Sequence, residues 1–114
     1  MKIETEFRKG IFFIRLSGSL DKNTVNLLNK EIENLIKENG FKNIVFNIEK
    51  LNNIDIKGIS TLFYNYEISR NNNRNLMICG LKDETVIRKM KKSRLLNYVD
   101  VIKDELVALH TINI

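Results

Sequence analysis

A chain of 114 residues has room for one domain with its own core and leaves none for a second. Its hydrophobic fraction of 43% and charged fraction of 29% are those of an ordinary globular protein, and no apolar run approaches the roughly 20 residues that a bilayer span needs. The net charge of +5 is spread along the chain except for Arg88-Lys89-Met90-Lys91-Lys92 and Arg94. That run reads as the solvated face of one helix, so no nucleic-acid partner is expected.

Residues 3–7, in alternation, and 11–16 are apolar stretches separated by Arg8-Lys9-Gly10. The glycine suits a tight turn, and the pair predicts a β-hairpin. Gly18-Ser19-Leu20-Asp21 closes it, and Asp21 is placed to cap the next helix by accepting from free backbone N–H groups. In that helix Val25, Leu28, Ile32, Leu35 and Ile36 recur at spacings of three and four and form one face, with Asn39-Gly40 as its end.

Residues 41–48 form a short β-branched and aromatic run, which predicts a central strand buried on both faces and parallel to the strand before it. Residues 49–55 read as a polar loop with Leu51 and Ile54 pointing inward. A second helix carries Ile59, Leu62, Phe63 and Tyr66 on one face and stops at Arg70-Asn71-Asn72-Asn73. Residues 76–79, followed by Gly80, predict another buried strand. Asp83 caps a third helix with Val86, Ile87 and Met90 as its apolar positions. Tyr98-Val99-Asp100-Val101 reads as a short strand or bridge, and residues 103–111 as a last helix with Leu106 and Leu109 inward. The order ββαβαβα(β)α describes an α/β fold: a mixed sheet of four to five strands packed with about four helices, one domain over residues 1–114.

Little in the chain carries chemistry. Cys79, the one cysteine, allows no internal disulfide and sits in an apolar stretch. His110, the one histidine, lies near the C-terminus without an evident catalytic partner. No metal site or cofactor is expected, because no ligands are clustered with suitable spacing and no nucleotide-binding glycine motif occurs. The acidic pairs Asp83-Glu84 and Asp104-Glu105 open predicted helices, where the helix dipole favours negative charge, and read as capping groups. An enzyme is not the expected outcome. Residues 1–6 lack the apolar core of a secretory signal, which makes a cytoplasmic location the default.

One junction stands out: Asn52-Asn53-Ile54-Asp55-Ile56-Lys57-Gly58-Ile59-Ser60. It leads from a buried strand into a helix, at the carboxyl edge of the sheet where α/β folds place binding sites. Asp55 fits as the N-cap. Lys57 does not suit a helix start, which favours negative charge. Ile56 either lies exposed for a partner to cover or tucks under the loop as a staple-like contact.

Three blocks here resemble the STAS family, specifically the small bacterial anti-sigma factor antagonists. Gly18-Ser19-Leu20-Asp21 is similar to the family's G-x-L-D after the second strand. Asn43-Ile44-Val45-Phe46-Asn47-Ile48-Glu49-Lys50-Leu51 is similar to its central strand. Asp55-Ile56-Lys57-Gly58-Ile59 is similar to its D-S-S-G-L loop and helix start. The later strand at 76–80, the helix region at 86–96 and Asp104-Glu105-Leu106-Val107-Ala108-Leu109 follow the family's order.

The resemblance implies a protein-interaction module that captures an anti-sigma factor of the serine kinase type and so regulates sigma-dependent transcription. It also implies release by phosphorylation of the first serine after the Asp, since a phosphate adds about −1.5 to −2 charges. In this chain Ile56 occupies that acceptor position and Lys57 the second serine position, so the usual modification has no hydroxyl to act on. Ser60 and Thr61, one turn further on, are the nearby hydroxyls. The expected contact surface is Asn53, Asp55, Ile56, Lys57 and Gly58, with Asp21 across the loop. Two other readings stay open. One is an accessory subunit docking on a membrane transporter ATPase, and the other is an anion- or nucleotide-binding module using Lys57 and the helix start.

Overall fold

The computed structural model describes residues 1–36 and 41–112. Lys9 and Gly10 both take positive φ, 52° and 80°, the geometry of a two-residue turn whose twist matches its flanking strands. The turn joins β1 (Lys2–Arg8) antiparallel to β2 (Ile11–Leu20), pairing Arg8 with Ile11. After α1 (Val25–Ile36) the chain enters β3 (Asn43–Ile54), then α2 (Ile56–Asn71), β4 (Asn75–Cys79) and α3 (Glu84–Lys92). A 3₁₀ turn at Leu95–Asn97 leads to β5 (Asp100–Ile102) and α4 (Glu105–Ile112). The sheet runs β1-β2-β3-β4-β5, and β2 to β5 pair in parallel. This is the mixed sheet with four helices that the order of elements predicts.

Alternation along the central strands divides the core in two. Phe12, Ile14 and Leu16 of β2, Ile44, Phe46 and Ile48 of β3, and Leu76 and Ile78 of β4 form one layer. It packs with Leu28 and Ile32 of α1, Leu62 of α2, and Val86 and Met90 of α3. On the other face Ile11, Phe13, Val45, Met77 and Cys79 pack with Ala108 of α4. The interior of β3 is therefore covered on both sides, as its composition predicts. Asp83 caps α3 by accepting from the Val86 N–H at 3.0 Å. The side chain of Ile36 and the predicted helix end at Asn39-Gly40 lie outside the described residues.

Two readings change. The segment 49–55 is not a loop through most of its length, because β3 continues to Ile54 beside an equally extended β2. Gly18 pairs with Leu51, Ser19 with Asn53 and Leu20 with Ile54, across register shifts between Arg15 and Ser17 and between Gly18 and Ser19. Non-local pairing of two polar segments overrides their local composition. Leu51 and Ile54 do point inward, at 1% and 0% exposure. In α4, Leu106 is 63% exposed instead of inward. Glu105, Ala108, Leu109 and Ile112 share the sheet-facing side at spacings of three and four, which leaves Leu106 on the opposite side.

The deepest stripe of α2 is also more polar than the sequence suggests. Gly58, Thr61, Leu62, Asn65 and Ser69 are buried, while Ile59, Phe63 and Tyr66 pack half-buried beside them. The Asn65 amide donates to the Thr61 carbonyl at 2.8 Å, which satisfies part of this buried polarity within the helix.

Candidate functional site

The carboxyl ends of β2 and β3 deliver two short segments to the same place: residues 21–24 before α1, and the junction into α2. Asp55 ties them together. Its carboxylate accepts from the Gly58 N–H at 2.8 Å, capping α2, and from the Lys22 N–H at 3.0 Å, fixing the neighbouring loop. Its own N–H donates to the Leu20 carbonyl at 3.2 Å. Gly58 is needed for closeness. A Cβ there would collide with the Leu20 carbonyl oxygen and come within 2.8 Å of Ile54 Cγ1.

Asp21 organises the loop from inside. Its carboxylate accepts from the Ser19 hydroxyl at 2.7 Å and the Asn23 N–H at 2.9 Å, and its carbonyl accepts from the Val25 N–H at 2.9 Å. These bonds, the Ser19 hydroxyl foremost, hold its carboxyl below the usual range. Asn53 then links the loop to α3. Its amide donates to the Ser19 hydroxyl at 3.2 Å, and its carbonyl accepts from Lys89 Nζ at 2.7 Å. One chain of contacts thus runs from Lys89 through Asn53 and Ser19 to Asp21.

Ile56 is 80% exposed. The alternative in which it tucks under the loop is not the arrangement that forms. Lys57 beside it is exposed too. Between the start of α2 and α3 lies an open groove of about 510 Å³, lined by Ile54, Asp55, Ile56, Ile59, Ser60, Lys89, Lys92 and Ser93. Ser60 is exposed on this groove, whereas Thr61 is turned into the core at 8% exposure.

The structure thus brings Asp21, Asn53, Asp55, Ile56, Lys57 and Gly58 into one region. Gly58 is buried and acts through packing, and Asp21 and Asn53 act through loop geometry. Sequence reasoning missed Ser19, Lys89 and Lys92. Ser19 stood in the Gly18-Ser19-Leu20-Asp21 block, and the two lysines stood in the basic run at 88–92, where a spacing of three places them on one side of the helix.

A second polar cluster lies on the α4 face of the sheet. Arg15 donates through Nε and Nη2 to the two oxygens of Glu105 at 2.8 and 2.7 Å, and through Nη2 to Glu6 at 2.7 Å. Asn47 donates to Glu105 at 2.8 Å. Arg15 is the main cause that holds the Glu105 carboxyl below its ordinary value. Glu105 therefore latches α4 to the sheet, while the Asp104 carboxylate caps that helix through the Val107 N–H at 3.0 Å. Burial pushes the Cys79 thiol up to about 12, which leaves it unreactive. Among the described residues no group of three or more His, Cys, Asp or Glu is placed to hold a metal ion. No helix among them is long and apolar enough to cross a membrane.

Comparison with known proteins supplies the context. An anti-sigma F factor antagonist from Paenibacillus polymyxa is 24% identical over 109 residues, covering 96% of this chain and 92% of the relative. The anti-sigma factor antagonist SpoIIAA, in its unphosphorylated form, superposes with a TM-score of 0.81 at 19% identity, covering 99% of this chain and 98% of that one. The phosphorylated form of SpoIIAA, from Bacillus, superposes at 0.72 with 18% identity and coverage of 96% and 99%. A Thermotoga maritima protein assigned as a candidate anti-sigma factor antagonist reaches 0.87 at 13% identity, with coverage of 98% and 95%. The family model of the STAS domain matches residues 2–108, nearly the whole described fold, and this chain belongs to the STAS domain family.

Proposed function

We propose that this STAS domain is a non-catalytic interaction module of the anti-sigma factor antagonist type. It binds an anti-sigma factor of the serine kinase class through the 55–58 junction and so regulates sigma-dependent transcription. The observation that carries this reading is Ile56, a large aliphatic side chain 80% exposed at the first position of α2. Covering it completely is worth about 1.5–3 kcal/mol, a gain that only a partner can supply. The position has no hydroxyl, so a kinase cannot release the complex by modifying it, and the module stays in its binding state.

Anion binding at the same helix start is less well supported. The Gly58 N–H is already taken by Asp55, as is the Ile59 N–H by the Asp55 carbonyl. Docking on a transporter ATPase would use the same exposed surface, and co-purification with a membrane ATPase instead of a soluble kinase would select it.

The test is affinity capture from the native cell with wild type, Ile56→Asp and Ile56→Ser, followed by binding measurements on the recovered partner. Ile56→Asp is expected to weaken binding by a factor of ~10 or more. Ile56→Ser is expected to make the complex dissociate when ATP and the recovered kinase are added. Unchanged binding by Ile56→Asp to every partner recovered would sink the reading.

A further inference from the structure

The groove beside Ile56 has a definite chemistry. Its floor is aliphatic, built from Ile54, Ile56 and Ile59, and its far wall carries Lys89 and Lys92 of α3. Lys57 stands next to it, exposed at the start of α2. Among the described residues none of these three lysines has a carboxylate within 4.0 Å; the ion pairs found belong to Arg15 and Lys82. Asp55, the one acid lining the groove, accepts from the Gly58 and Lys22 N–H groups, one to each oxygen, and is outnumbered by Lys89 and Lys92. Lys89 is held in place by one bond to Asn53 at 2.7 Å, which leaves two of its three N–H donors free.

We propose that this groove receives an acidic segment of a partner protein. An apolar side chain seats against Ile56 and Ile59, and flanking carboxylates pair with Lys89 and Lys92 on the groove wall and with Lys57 beside it. The inference rests on the 55–58 junction being the partner-binding surface and adds the partner's chemistry. A basic or neutral segment would leave Lys89 and Lys92 facing it uncompensated, and like charges across an interface oppose association. A nucleic acid would satisfy the cations, but single strands are held chiefly by stacking on aromatic side chains, and the groove lining has none. An amphipathic segment laid in an apolar groove with a charged rim fits both features.

The experiment selects a phage-displayed library of random peptides on the full chain and measures the winners against isotope-labelled protein by NMR. Expected winners carry Asp or Glu on either side of Leu, Ile or Phe, and shift the amides of Ile56, Ile59, Ser60, Lys89 and Lys92. Their affinity should fall ~10-fold or more in Lys57→Gln/Lys92→Gln, a variant of two exposed positions that leaves the Lys89–Asn53 bond intact. The proposal is overturned if no groove-binding peptide is enriched, or if the winners are neutral or basic. It is equally overturned if winners bind the double variant as tightly as wild type, or if a single-stranded oligonucleotide shifts the groove amides at lower concentration than they do. Neutral winners that shift the groove amides and are lost in Ile56→Asp would overturn the acidic partner while leaving the 55–58 surface standing.

Discussion

Gly58 lies where the first turn of α2 presses on the end of β2. Its backbone needs no special dihedral, so any residue could supply the helical conformation; what no other residue supplies is the missing Cβ. Gly58→Ala drives a methyl toward the Leu20 carbonyl oxygen and Ile54, and overpacking of this kind costs about 1–3 kcal/mol. The expected result is a drop of several degrees in Tm together with weaker partner binding, since the turn carrying Ile56 must move. An unchanged Tm by calorimetry would refute the packing argument. Asp55 shows the complementary case, in which one carboxylate joins two separate backbone segments. Sequence alone identified it as a cap, because the cap is local. Its bond to the Lys22 N–H, 33 positions away, has no local signature.

The helices and strands differ in how readily the sequence discloses them. Leu28 and Ile32 of α1, or Val86 and Met90 of α3, announce their buried faces by spacing. The outer halves of β2 and β3 do not. Gly18-Ser19 and Asn52-Asn53 are turn-like residues drawn into strand by the pairing of Gly18 with Leu51 and of Ser19 with Asn53. The register of α4 is hidden for the same reason, since Arg15 captures Glu105 from 90 residues away and turns Leu106 outward. That capture has a pH signature. The Glu105 carboxyl is lowered from its ordinary 4.5, so the stabilisation it gives is complete above that value and is lost as pH falls through the folded pKa. Glu105→Gln should therefore lower Tm at neutral pH, and the gap to wild type should close in acid. A gap that stays constant into strong acid would show that the ion pair is not its source.

At the scale of the whole molecule, a net charge of +5 coincides with a candidate groove in which two lysines, Lys89 and Lys92, outnumber the one acid, Asp55. Long-range attraction and local complementarity then act in the same direction on an acidic partner. The association rate is expected to fall steeply as salt rises toward physiological strength, where the screening length is about 8 Å, while dissociation changes less. Stopped-flow measurements at several salt concentrations separate the two, and a salt-independent association rate would contradict the expectation. The fold class was legible because it follows from the order of elements, and so was the position of the 55–58 junction at the carboxyl end of β3. The α3 wall of the site was not, because a lysine facing a groove and a lysine facing solvent are identical in sequence.

The side chain at position 56 also bears on the entropy of recognition. Isoleucine is β-branched, and two heavy atoms on Cβ restrict its χ1 before any partner arrives. Immobilising it costs about 0.5–1 kcal/mol, against up to about 2 kcal/mol for a lysine such as Lys57. The first turn of α2 therefore presents a side chain with less freedom to lose than the lysines beside it. Under the proposed reading, recognition at this surface costs least at its aliphatic point and most at its charged rim, so the isoleucine would supply grip and the lysines choice.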